Sequence, residues 1–182
     1  MLKKSFLSAA VFAVLFSLGA INVSAQSAKP KKADKTPRNV VDFYLLLPNK
    51  YAGNFSPATR QKYLKENGTI DTANGYLEVF SPKENEPRIY VAIFKRDAGG
   101  YLVAVASGSF ASEKPFRYYF LDYDGRNWTE VSKKILPPNF NFADYGLFYP
   151  CELPRFNRTI SCRNSAGQLT YLGWTGKDFV IE

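Results

Sequence analysis

The sequence contains no histidine and only two cysteines among its 182 residues. Without imidazole, neither a Ser-His-Asp triad nor a Cys-His pair can be assembled, and the most common general base is missing. A zinc site made of thiolate and imidazole ligands is excluded for the same reason. The sequence also carries no glycine-rich phosphate-binding motif. These absences favour a non-catalytic protein with no metal or other cofactor.

Carboxylates are the catalytic groups that remain, and the nearest set in the sequence is Asp122, Asp124 and Glu130. Asp124 is predicted to lie in a turn and Glu130 to point to the opposite face from Asp122, so the three do not converge as a glycosidase pair would. The same segment lacks the third acid and the twelfth-position Glu of an EF-hand, which favours a plain turn over a calcium site. A carboxylate-dependent hydrolase of envelope or extracellular glycans stays as the alternative function.

Residues 1–25 have the order of a secretory signal peptide. Lys3 and Lys4 precede a nearly continuous apolar run at 6–18, and a small-residue cleavage pattern ends at Ala25. The apolar run is too short for a stable membrane anchor. We therefore expect cleavage after Ala25, a secreted or periplasmic location, and no membrane span in the mature chain.

Residues 26–35 consist mostly of Lys, Ala and Pro and are predicted to form a disordered basic leader. Residues 36–182 are then predicted to form a single globular domain, because their number is within the usual size of one domain. The chain has 24 Lys and Arg against 16 Asp and Glu, but several of the cations lie in or just after the leader, so the folded body is nearly neutral. We therefore expect no nucleic-acid partner. Cys151 and Cys162 can pair only with each other, and an exported chain favours a disulfide between them.

A nine-residue pattern occurs twice, at 120–128 and at 171–179, and reads aromatic, Leu, any, aromatic, any, Gly, basic, Asn or Asp, aromatic. Gly125 and Gly176 supply the positive φ of a tight turn, and the flanking residues are strand formers, so each copy predicts a β-hairpin. A looser version at 93–101 has one extra residue in its turn. An Asn-Gly pair at 74–75 predicts a further hairpin.

Two short helices are predicted before the hairpins. Thr36 and Pro37 mark the start of the first, and Ser56 and Pro57 the start of the second, with a left-handed stop at Gly68. The second helix is expected to pack through Tyr63 and Leu64 and to expose its charged side chains, namely Arg60, Lys62, Lys65 and Glu66. The fold class is therefore α+β, with two N-terminal helices and an antiparallel meander of about eight strands. A β-sandwich or a partly closed barrel with a helical lid is the alternative.

Aromatic side chains at the hairpin ends are the leading candidates for a binding surface. Tyr123, Trp128 and Trp174 stand there beside two basic residues, Arg126 and Lys177. Exposed rings next to polar groups stack on sugars or anchor protein partners, although the same rings could instead fill the core. We therefore predict an exported binding domain for an envelope or extracellular protein, or for a glycan. A purely structural envelope module is a further alternative.

Overall fold

A six-stranded antiparallel sheet forms the centre of the fold, with each strand paired to its neighbours in sequence. The structure is a computed structural model that describes residues 36–83, 86–111, 116–145 and 151–182, which all belong to one compact unit. The predicted signal peptide and leader, residues 1–35, lie outside the described residues. In chain order the elements are α1 (Val40–Leu46), α2 (Pro57–Asn67), β1 (Gly68–Asp71), β2 (Tyr76–Phe80), β3 (Arg88–Lys95), β4 (Tyr101–Gly108), β5 (Arg117–Tyr123), β6 (Trp128–Glu130), α3 (Ser132–Ile135), β7 (Thr159–Arg163), β8 (Leu169–Trp174) and β9 (Phe179–Ile181).

The first helix begins three residues later than the Thr36–Pro37 signal predicted. Asn39 is its N-cap, and the Oδ1 atom accepts hydrogen bonds from the backbone N–H groups of Val41 and Asp42 at 2.9 and 3.1 Å. An Asn side chain in this position satisfies helix donors that Thr36 is too far upstream to reach. The helix ends at Leu46, shortly before Pro48, as expected.

The second helix starts as predicted, because the Ser56 hydroxyl caps Thr59 N–H at 3.1 Å and Pro57 occupies the first helical position. Its end differs from the prediction. Gly68 has a φ of −97°, so the backbone there is extended, not left-handed, and β1 begins at once. Glycine is still required, since a Cβ at this position would collide with the Leu64 carbonyl oxygen.

The prediction that Arg60 lies on the exposed face of α2 is wrong, because this residue is only 2% exposed. Its Nη1 donates to the Tyr44 carbonyl oxygen at 2.6 Å and its Nη2 donates to Asn49 Oδ1 at 3.3 Å. The guanidinium thus satisfies a carbonyl near the C-terminal end of α1, where helix acceptors lack intrahelical partners. Burial in the same place raises the pKa of the Tyr44 phenol above its ordinary value. Arg60 therefore joins the two helices from inside the core.

The central sheet confirms the meander and the predicted faces of its strands. In β5, Tyr119 and Leu121 face the two helices, whereas Tyr118 and Phe120 face the other way. β3 and β4 bury apolar side chains on both faces, as the apolar character of their whole length predicted. The fold is α+β, and the described strands do not close into a barrel.

The final hairpin does not continue the meander. It joins β7 to form a separate sheet in the order β7-β8-β9, so the described residues contain nine strands in two sheets. One core lies between the helices and the large sheet, and we call it the helix-side core. A second core, the sheet-side core, lies between the large sheet and the small one. Its members include Phe94, Leu102, Phe120, Ile160, Leu172, Trp174 and Phe179.

The two glycines of the repeated pattern provide a matched pair of test positions. Gly125 has φ +95° with open space where a Cβ would lie, whereas a Cβ at Gly176, with φ +103°, would collide with the Asp97 carboxylate. Gly125→Ala should cost about 1–2 kcal/mol of stability from the left-handed backbone alone. Gly176→Ala should cost up to about 1 kcal/mol more, because the exposed Asp97 carboxylate must move and the bond from the Asp97 N–H to the Gly176 carbonyl oxygen, 3.1 Å long, is disturbed. Chemical denaturation of both variants measures the difference, and equal losses would contradict this account.

Candidate functional site

Tyr123 and Trp128 form the end of the β5–β6 hairpin and pack against α1. They are directly paired across the two strands, and their ring centroids lie 4.8 Å apart. The Trp128 indole N–H donates to the Leu46 carbonyl oxygen at 3.1 Å, and both rings contact Phe43 edge-on. Both side chains are partly buried in the helix-side core, whereas Arg126 is exposed. The hairpin end is therefore attached to the helix and presents its rings only in part.

Trp174 occupies a different place, in the sheet-side core. Its side chain is 5% exposed, its indole N–H donates to the Lys95 carbonyl oxygen at 2.9 Å, and its ring packs on Phe94 and Phe179. Lys177, in the following turn, is exposed. The structure thus places the five predicted binding residues on opposite sides of the large sheet and does not bring them into one surface. A ligand-binding role for them stays a prediction.

The three carboxylates of the alternative hydrolase also lie apart. Asp122 is ion-paired with Arg96 at 2.6 Å. Asp124 accepts hydrogen bonds from turn N–H groups, including that of Asn127 at 2.6 Å, and these bonds lower the pKa of its carboxyl. Glu130 pairs with Leu121 across the strands, and that residue faces the helices, on the other face from Asp122. Each acid therefore has its own surroundings.

The arm, residues 151–157, carries side chains that bring together distant parts of the chain. Its first residue forms the predicted disulfide with Cys162, which is confirmed. The Cys151 carbonyl also accepts from the Tyr118 hydroxyl at 3.1 Å, and Glu152 forms a β-bridge with Ser161. Further along, Arg155 Nε donates to Asp71 Oδ2 at 3.0 Å. The arm is thus fixed to both sheets along its length.

One cleft, the aromatic cleft, lies between the arm and the part of the large sheet that the small sheet leaves open. Its volume is about 570 Å³. Tyr76, Tyr90, Phe110 and Phe156 supply four rings to its lining. Burial, together with the nearby Glu78 carboxylate, raises the pKa of Tyr76 to about 12. Glu78 and Glu152 are the carboxylates of the lining.

A second cleft, the basic cleft, lies on the other flank of the arm and has a volume of about 550 Å³. The residues that line it include Arg38, Lys95, Arg155 and Arg158, together with the 72–75 turn. The arm forms a ridge between the two clefts, because residues 154–157 line both. Phe156 is 77% exposed on this ridge.

Sequence reasoning missed both clefts. Their walls are formed by the strands near residues 76 and 90 and by the arm. These segments are far apart in the sequence, so no local pattern shows that they meet. The one local signal is an Arg-Phe pair inside the loop that the two cysteines close, since a large apolar side chain in such a loop has little core to enter. Position 156 could have been selected on that ground.

No group of three or more His, Cys, Asp or Glu side chains is arranged to hold a metal ion within residues 36–83, 86–111, 116–145 and 151–182. In the same part of the chain, no helix has both the length and the apolar character needed to cross a membrane.

Comparisons with protein-family models, with curated protein sequences and with solved structures found no match to this chain.

Proposed function

We propose that the protein is an exported, non-catalytic binding protein that docks another envelope or extracellular protein across the two clefts beside the arm. The observation that carries this proposal is the 77% exposure of Phe156 on a ridge between an aromatic cleft and a basic cleft. An exposed aromatic ring with concave surfaces on both flanks can serve as the anchor residue of a protein interface, because a partner that fills the two clefts would bury the ring.

The way the arm is held supports binding. Cys151 is bonded to Cys162, and Arg155 is bonded to Asp71, so the ends of the ridge are fixed before any partner arrives. A surface that is already ordered loses little conformational entropy on association, which favours affinity. The Arg155 guanidinium also lies over the Phe156 ring, 5.0 Å from its centroid, and orients it.

The chemistry of the aromatic cleft also fits binding better than turnover. Glu78 Oε1 accepts from Arg88 Nη1 at 3.3 Å, so one of the two lining carboxylates already has a cationic partner. Histidine is absent from the whole sequence, so no imidazole can relay a proton there. Export is supported by the disulfide, since such bonds persist in oxidising compartments.

Site-specific photocrosslinking tests the proposal. A photoreactive phenylalanine analogue is placed at position 156 of the full chain expressed in its source cells, and at position 62 in a control chain, because Lys62 is exposed on α2 and lines neither cleft. We expect discrete protein adducts from position 156 and none of the same mass from position 62. The recovered chain should begin at Gln26 if the signal peptide is removed as predicted.

Two outcomes would overturn the proposal. Adducts that are the same from both positions would mean general surface contact, and the absence of any adduct from position 156 would leave Phe156 without a partner. Adducts that contain only carbohydrate would show that the site binds a glycan and not a protein.

A further inference from the structure

The basic cleft has an unbalanced charge. Four cationic side chains line it, and its lining, which lies wholly within the described residues, includes neither Asp nor Glu. Arg155 is paired with Asp71 behind the lining. The described side chains form no ion pair with Arg38, Lys95 or Arg158, so three positive charges face the cleft without a carboxylate. Such an arrangement attracts a ligand that carries several negative charges.

The ion pair between Arg155 and Asp71 holds one wall of the basic cleft in place. Asp71 accepts from the Asn74 side chain at 3.0 Å and from the Asn74 backbone at 3.2 Å, so its carboxylate belongs to the β1–β2 turn. Bonds from Asn74 and Arg155 together lower the pKa of Asp71. The carboxylate is charged at neutral pH, as any Asp is, and the lowered pKa keeps it charged in more acidic solution, so that it holds the arm against the turn. The cations on either side are left for a ligand.

The neighbouring aromatic cleft decides which kind of anion fits. A ligand that continues over Phe156 enters a space with four rings and two carboxylates, Glu78 and Glu152. This cleft offers no free excess of positive charge to a uniformly anionic polymer such as a uronate glycan, because Glu78 is paired with Arg88 and the cation of the lining, Arg155, is paired with Asp71. A peptide can change character along its length, with acidic side chains in one cleft and apolar side chains in the next.

We propose that the basic cleft binds the acidic side chains of an extended peptide segment whose adjoining apolar residues pass over Phe156 into the aromatic cleft. This inference rests on the proposed function and names the chemistry of the partner segment. Recognition combines charge complementarity on one flank of the arm with apolar burial on the other. Each flank can be altered separately.

A synthetic peptide pair measures the charge requirement. The probe is a fluorescent peptide of about 14 residues, long enough when extended to cross both clefts, with an Asp/Glu half and a Leu/Phe half. The second peptide of the pair has Lys in place of every Asp and Glu. We expect the acidic peptide to bind at least about tenfold more tightly than the Lys peptide, with affinity falling as salt is raised.

Matched variants locate the contact. Lys95→Glu and Arg158→Glu should each weaken the acidic peptide by about tenfold, because each places a carboxylate in the cleft. Lys62→Glu makes the same change of charge on α2, outside both clefts, and should change affinity less than about twofold. Phe156→Ala should weaken both peptides, because it removes the apolar contact that they share.

Equal binding of the two peptides, or equal losses from Lys62→Glu and Lys95→Glu, would overturn the inference. Tight binding of polygalacturonate in place of the acidic peptide would overturn it in favour of an anionic glycan. If position 156 gives a protein adduct while the acidic peptide does not bind, the binding function stands and only the assigned ligand chemistry fails. If neither occurs, both fail.

Discussion

Replacing Trp174 with alanine is expected to lower the free energy of unfolding by about 3–5 kcal/mol, the range for a large buried aromatic. The indole fills the space between the two sheets against Phe94 and Phe179, and its N–H donates to the Lys95 carbonyl oxygen. Removing it leaves a cavity in the sheet-side core and an unpaired acceptor in the large sheet. Urea denaturation followed by circular dichroism measures the loss.

Two further variants separate the causes of that loss. Trp174→Phe keeps most of the ring and removes the hydrogen bond, so it should cost about 1–3 kcal/mol. Trp128→Ala removes the other tryptophan, which is only partly buried, and should cost less than Trp174→Ala. A Trp174→Ala protein within about 1 kcal/mol of the parent would show that the small sheet contributes little to stability. If the folded variant still binds the acidic peptide, Trp174 is structural and not part of the binding surface.

Removing the disulfide is expected to lower both the free energy of unfolding and the affinity for the acidic peptide. Cys151 and Cys162 are 11 positions apart in the sequence, and the double alanine variant should lose about 2–5 kcal/mol, the range for native disulfides in small domains. Both sulfurs lie in the sheet-side core, so alanine also removes buried apolar volume there. The arm would keep its contact with Asp71 but would lose its covalent attachment to β7. We therefore expect weaker binding of the acidic peptide as well as lower stability.

Reductant supplies the control for this experiment. Treating the parent protein with dithiothreitol should reproduce most of both losses, whereas the double alanine variant should not respond. If stability falls and peptide affinity does not, the arm holds its binding geometry without the disulfide. If neither falls, the bond is incidental to both.

The hairpins and their faces could be predicted because their signals are local. A turn glycine and a two-residue alternation assign Phe120 to one face and Leu121 to the other wherever the strand packs. The disulfide could be predicted because each cysteine had one possible partner. These features depend on residues that are close in sequence or unique in composition.

Arg60 and the clefts could not be predicted in the same way. Arg60 is buried because a carbonyl of another helix lies within its reach, and residue type gave no sign of this. The basic cleft takes its cations from the segment before α1, the end of β3, the arm and the residue that follows the arm. The near-neutral charge of the whole body concealed this local excess. Only the folded chain brings Arg38, Lys95 and Arg158 to one place.

The nearest-neighbour order of the large sheet has a consequence for how the chain acquires its shape. Contacts between successive strands close short loops, and such contacts form quickly. Strands β1 to β6 can therefore assemble before the last part of the chain has emerged on the far side of the membrane. The small sheet lies entirely C-terminal to them, so its docking completes the process and seats Trp174 last. Until the small sheet docks, the apolar face of the large sheet that it covers is exposed to solvent. The partly folded chain is therefore the form most prone to aggregation.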